Sequence, residues 1–191
     1  CGYAEILKHA IIKDKKFFGW LKKNSKNIFK KNLSSLSYAI KKSCMIKIHF
    51  VNKDVNEKNL RMILNFGHTF AHAIEIRNNY STKVSHGEAV LSGMILESRL
   101  SLIRGVCTSN TVKEIQNIYN KNNLSYTYKA FFSEKSIKNL IPFLKNDKKN
   151  EDENINFILL SSIGKAAKPN KNKIPLRSFK KYSKLHVNRN F

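Results

Sequence analysis

The sequence predicts a mainly α-helical domain with a short strand or hairpin late in the chain. Three observations carry that expectation. Apolar residues recur at helical spacing from Ala4 to Leu144, the single β-like run Phe157 to Ser161 is short, and no strand leads into a glycine-rich phosphate-binding turn. With 191 residues at 41% hydrophobic content, the chain can bury one ordinary core.

Taken in order, Tyr3 to Lys13 places Ala4, Leu7, Ala10 and Ile11 on one helical face, with Glu5 and Lys8 at i and i+3. A pair at that spacing is commonly a solvated ion pair. Phe17 to Lys31 and Leu33 to Val51 read as amphipathic bundle helices, with Phe17, Phe18, Trp20 and Phe29 as core positions in the first and Leu36, Ile40, Cys44 and Phe50 in the second. After the polar break Asn52 to Asn56, Asp54 or Asn56 is placed to cap a central helix carrying Leu60 to Glu75. A polar loop from Arg77 to Lys83 leads to His86 near the next helix start, and helical patterning runs from Gly87 to Arg104. It restarts after Thr111, which with Glu114 predicts a capping box. A further helix between Leu124 and Lys148, on Ile137, Leu140, Ile141 and Leu144, is interrupted by Pro142. The tail 165–191 is basic, contains Pro169 and Pro175, and is expected to be disordered.

A net charge of +23 would ordinarily point to nucleic acid or an anionic membrane. Only six of the 36 basic residues are arginine, however, and lysine is spread over the whole chain. Arginine is what bidentate phosphate and base contacts need, so nucleic acid is not the expected partner. No run of eighteen apolar residues suggests a membrane span. Cys1, Cys44 and Cys107 form no Cys-x-x-Cys pair, and reduced thiols in a cytoplasmic protein are expected.

His68 and His72, four residues apart, share one helical face, and His86 follows fourteen residues after His72. Three imidazoles within nineteen residues suit a zinc site with three protein ligands. The same spacing also occurs in histidines that cap helices or hydrogen-bond within a core. A His-Glu-x-x-His peptidase arrangement is absent, because Thr69, Phe70 and Ala71 separate the pair.

Leu64-Asn65-Phe66-Gly67-His68-Thr69-Phe70-Ala71-His72-Ala73-Ile74-Glu75, followed by His86-Gly87-Glu88-Ala89-Val90 through Met94, closely resembles the central signature of the 3-dehydroquinate synthase family. Two further blocks agree in order. Gly2-Tyr3-Ala4-Glu5-Ile6-Leu7-Lys8 resembles the opening of that family's C-terminal domain, and Asp147-Lys148-Lys149 with Asn156 to Leu160 resembles its late segment. The blocks cover residues 1–164, so the resemblance implies a multi-helix C-terminal domain of the dehydroquinate-synthase-like fold over that span.

That resemblance implies a Glu5, His68 and His86 site for zinc or another divalent metal such as cobalt, with His72 beside the metal as a catalytic group. It also implies catalytic and substrate-binding work for Lys8, an active-site role for Glu57, and substrate contacts from Lys47, Arg61, Asn65, His72 and one of Lys148 and Lys149. The expected reaction turns the sugar phosphate 3-deoxy-D-arabino-heptulosonate 7-phosphate into 3-dehydroquinate and phosphate in the shikimate pathway, with NAD as cofactor and a homodimer as the assembly. A related sugar-phosphate cyclase, a metal-dependent polyol dehydrogenase, or a decayed polyanion-binding domain are the alternatives. The NAD-binding α/β domain of the family has no counterpart in these residues, and a chain opening at Cys1 inside an active-site motif is expected to be the helical half of a longer enzyme or a gene remnant.

Overall fold

The computed structural model describes residues 1–80, 82–124, 139–140, 142–144, 154–175 and 178. It is a helical domain whose last described segments form two small antiparallel ladders. α1 (Gly2–Lys13) buries Ala4, Ile6, Leu7, Ala10, Ile11 and Ile12 and packs against α2 (Lys15–Phe29), α3 (Leu33–Lys53) and α5 (His86–Ile103). Asp14 ends α1 and begins α2: its backbone N–H returns to Ala10 O, while its side chain accepts from Phe17 N at 2.8 Å. One extended residue thereby makes the corner between two helices. In α2, Phe17, Phe18, Leu21 and Ile28 are buried, Trp20 is half-buried, and Phe29 is exposed but tilted against Tyr3 at 4.7 Å between ring centroids.

α3 differs from the sequence expectation. Its buried stripe is Ser35, Ala39, Ser43, Ile46 and Phe50, so Ile40 and Cys44 face outward and Leu36 is only half-buried. The stripe is turned by one residue because three small side chains let α3 approach α1, where Ser43 Oγ meets His9 Nδ1 at 2.6 Å. A larger Ile40 on that face would hold the two helices apart.

The central segment is also not one helix. A 3₁₀ helix, Leu60–Asn65, ends at Phe66, and Gly67 in the left-handed region (φ 84°) reorients the chain into α4 (His68–Arg77). Asp54 organises the approach by accepting from the backbone N–H of Lys58, Asn59 and Arg61. α5 is buried nearly all round, as expected of an apolar helix at the centre of a domain. α4 comes close enough to α5 that a Cβ on Gly93 would collide with the carbonyl oxygen of Gly67.

The capping box lies at the start of α5, where Ser85 and Glu88 exchange side-chain and backbone hydrogen bonds. It is not at Thr111 and Glu114. α6 (Ser109–Lys121) begins two residues before Thr111, after Thr108, and Glu114 instead faces Lys22 at 3.7 Å. Of the helix expected before Lys148, most positions lie outside the described residues; Leu140 and Leu144 are buried.

β1 (Asn154–Asn156) pairs with β4 (Lys173–Pro175), and β2 (Leu160–Ser162) pairs with β3 (Lys165–Ala166) across the turn at Ile163 and Gly164. The strand expected over Phe157 to Ser161 is therefore displaced: Phe157, Ile158 and Leu159 are buried between two ladders. Disorder was expected from 165 onward, yet residues 165–175 are ordered into β3, β4 and the loop joining them. Backbone pairing and two buried side chains, Asn172 and Ile174, suffice there, and neither leaves a hydrophobic period in the sequence. Residues 176–191, apart from 178, lie outside the described residues. Among the described residues, no helix is long and apolar enough to cross a membrane.

Candidate metal and substrate site

The site lies where α1 meets the first residues of α4 and α5. α1 presents Glu5 and Lys8 one turn apart, and Lys8 Nζ donates to Glu5 Oε2 at 2.7 Å. Lys8 is almost fully buried, so this pair is not the solvated bridge its spacing suggests. His68 is the first residue of α4 and His86 the first of α5, which aims both imidazoles at the open side chain of Glu5. One possible ligand atom from each of Glu5, His68 and His86 lies within 4.8 Å of the other two.

The hydrogen bonds leave the right atoms for a cation. His86 Nδ1 donates to Glu75 Oε1 at 2.9 Å, which keeps the lone pair on Nε2. His68 Nδ1 points to Phe66 O at 3.4 Å, again freeing Nε2. Glu5 Oε1 is buried, accepts no hydrogen bond among the described residues, and stands 3.6 Å from His68 Nε2. Two ligands of a tetrahedral ion with bonds of about 2 Å are about 3.3 Å apart, so the separation suits a shared cation better than a hydrogen bond. Two nitrogens and one carboxylate oxygen are also a donor set that zinc accepts.

Burial, with Lys8 beside it, pushes the His68 imidazole down to about 4, so it is neutral near pH 7. His9 goes down to about 4 for the same two reasons. Burial raises the Glu5 carboxyl, but the charge and hydrogen bond of Lys8, together with His68 and His9, bring the net direction down. Lys8 also shifts down, because for it burial outweighs the attraction of Glu5.

Beside this corner lies a cavity of about 220 Å³. Glu5, Lys8, Lys47, Glu57, Arg61, Asn65 and His68 all line it, as do His9 and Leu64, which the sequence reading had not singled out. Glu57 sits in the left-handed region (φ 53°), an uncommon conformation for a residue with a Cβ. Its Oε1 accepts from Asn65 Nδ2 at 2.7 Å and its Oε2 is 3.9 Å from Arg61 Nε. Arg61 Nη1 donates to Val55 O at 2.7 Å. His72 lies one turn beyond His68, 5.7 Å between ring centroids, and is not in the three-residue cluster. Lys148 and Lys149 lie outside the described residues. A larger hollow of about 470 Å³ near Cys1, Phe29 and Leu124 contains none of these groups.

Sequence reasoning missed Glu75, Glu97 and His9. Glu75 carried a usable signal, standing seven residues after His68 and so two turns along the same face. Glu97, fully buried on α5, accepts from Gly67 N at 2.8 Å, a contact between distant residues that no local pattern encodes.

Residues 2–150 match the 3-dehydroquinate synthase C-terminal family. The chain belongs to that family. The 3-dehydroquinate synthase of Pelagibacter ubique (strain HTCC1062) is 43% identical over 164 residues, 86% of this chain and 45% of that protein. The enzyme of the same name from Endomicrobium trichonymphae is 40% identical over 168 residues, 86% of this chain and 44% of that protein. The chain thus spans less than half the length of either relative. Two solved structures share its fold. A 2-epi-5-epi-valiolone synthase from Streptomyces hygroscopicus subsp. jinggangensis 5008, with NAD+ and Zn2+ bound, superposes with a TM-score of 0.75 at 22% identity, covering 96% of this chain and 49% of that one. A 2-deoxy-scyllo-inosose synthase complexed with carbaglucose-6-phosphate, NAD+ and Co2+ gives 0.74 at 24% identity, covering 97% and 51%.

Proposed function

We propose that this domain is the metal- and substrate-binding half of a 3-dehydroquinate synthase, acting on 3-deoxy-D-arabino-heptulosonate 7-phosphate and releasing phosphate. The observation that carries the reading is the convergence of Glu5, His68 and His86 beside a cavity lined with Lys8, Lys47 and Arg61. In this reading those three residues hold a divalent cation, zinc or cobalt. NAD is contributed by a preceding α/β half of the whole enzyme, and two whole chains associate as a homodimer.

A bound divalent cation supplies Lewis acidity toward a substrate hydroxyl. The residues do the rest of the work by binding and orientation. Arg61, pinned to Val55 O, offers a planar fork suited to the substrate carboxylate. Lys47 and Lys8 give compact positive charges for phosphate and hydroxyl oxygens, with Lys148 and Lys149 as further candidates for the phosphate. Asn65 and Glu57, bonded to each other, fix polar contacts on the same wall. His72, one turn beyond His68, would stand beside the cation rather than hold it, as a group able to move a proton. Neutral His68 binds without first losing a proton.

The test is phosphate release from that heptulosonate phosphate by the whole enzyme, with and without chelator, beside the sugar phosphates used by related cyclases. Chelator-sensitive release from the heptulosonate phosphate alone is the expected result. Release only from another sugar phosphate would move the assignment to a sister cyclase.

A further inference from the structure

We propose that Glu97 is a positioning residue that sets the spacing between the His68 and His86 imidazoles, and so the affinity and geometry of the bound cation. The inference rests on the metal reading above. Glu97 has no exposed surface, in the second half of a helix where Ile95, Leu96 and Leu100 are buried around it. Burying a carboxylate there is costly unless it accepts strong hydrogen bonds. One such bond comes from Gly67 N at 2.8 Å, in the left-handed turn immediately before His68.

The placement makes α5 a gauge for the site. His86 is its first residue and Glu97 lies eleven residues further on, about 16 Å along the axis at 1.5 Å per residue. The same helix therefore carries one imidazole directly and holds the backbone that carries the other. Gly93 lies between them on α5, and its missing Cβ lets the Gly67 turn come within reach of the Glu97 carboxylate. Without that carboxylate, Gly67 N–H would be buried and unpaired, and the turn would move to find a partner. Glu97 also attracts Lys8 across the core, so a pure counter-charge role is the competing explanation.

The experiment uses this chain loaded with Co2+, its ligand-field absorption and competition-titrated affinity, and hydrogen exchange at the Gly67 amide. Glu97→Gln keeps an acceptor at the same reach, and its affinity should stay within about threefold of the parent. Glu97→Ala should weaken Co2+ by about ten- to a hundredfold, change the absorption bands and speed Gly67 exchange, at temperatures where circular dichroism shows the variant folded. A folded Glu97→Ala protein with parental affinity and spectrum overturns the proposal. If that variant does not fold, Glu97→Asp decides: it keeps the charge but withdraws the acceptor by one methylene, so Asp impaired with Gln intact supports positioning. Asp intact with Gln impaired supports the counter-charge role instead and overturns positioning. Should the parent chain bind no Co2+, the metal reading fails on its own. The Gly67 amide, protected in Gln but not in Asp or Ala, would then still show whether Glu97 holds the turn.

Discussion

The two walls of the candidate site are built differently. On the metal side, the corner of α1, α4 and α5 is helical and closed by glycine contacts, with buried Lys8 and Glu97 under it and Glu75 behind the exposed His86. On the substrate side, Asp54 to Asn65 is a loop and a 3₁₀ turn held mainly by side-chain to backbone hydrogen bonds, with a left-handed Glu57 and an exposed Val55. A cation needs three atoms fixed to within a few tenths of an ångström, and packed helices provide that more firmly than a loop. A polyhydroxylated substrate must enter and leave, and a loop with little buried area allows it at small cost.

Substitutions at the metal corner should therefore act on metal and stability, and those at the loop on substrate. The largest effect is expected for His68→Ala, which should abolish measurable Zn2+ binding in a competition titration, while His72→Ala keeps the metal and loses turnover in the whole enzyme. Metal loss in both would place His72 among the ligands. Next, Gly93→Ala should cost about 3 kcal/mol in urea unfolding, because its Cβ meets the Gly67 carbonyl and neither helix can yield without breaking the core. Glu75→Gln should weaken Zn2+ about tenfold, since an amide is a poorer partner for His86 Nδ1–H than a carboxylate.

A pH-dependent effect belongs to His9. Its imidazole is neutral in the fold down to about 4, whereas the unfolded chain takes up the proton near 6.5. Between those values the unfolded state binds more protons, so stability is full above pH 6.5 and falls as pH drops toward 4. The loss approaches roughly 3 kcal/mol. Urea midpoints measured from pH 7 to pH 4 should show this slope, reduced in His9→Gln. The smallest effect is expected on the loop wall. Asn170 Nδ2 donates to Lys58 O at 3.1 Å and ties the β-ladder loop to the Glu57 loop. Asn170→Ala should cost about 1 kcal/mol or less and raise KM while leaving Zn2+ affinity unchanged.

The same contrast explains what the sequence revealed. Helix existence was legible because an apolar face at period 3.6 persists in α1, α2, α3 and α6, while α5 is a long, mostly apolar run. The site residues were legible through the family motifs, and the structure gathers Glu5, His68 and His86 at one point and Lys8, Lys47, Glu57, Arg61 and Asn65 around one cavity. What depended on closeness between distant segments was not legible. The turned face of α3 follows from Ser35, Ala39 and Ser43 being small where α1 passes, not from where α3 is most apolar. The break at Gly67 follows from its contact with α5, although the sequence around it reads as one helix. The order in 165–175 comes from backbone pairing, which leaves almost no compositional trace.

The turn between β2 and β3 has a consequence for biosynthesis. Gly164 N donates to Ile11 O at 2.7 Å, closing one of the carbonyls that the C-terminal end of α1 cannot satisfy itself. Donor and acceptor are 153 residues apart, so at about 5–20 residues per second a ribosome takes roughly 8–30 s between making the two. Throughout that interval the C-terminal end of the helix bearing Glu5 and Lys8 lacks this one hydrogen-bond partner. A chain terminated before β2 would keep every proposed metal ligand yet never acquire that bond.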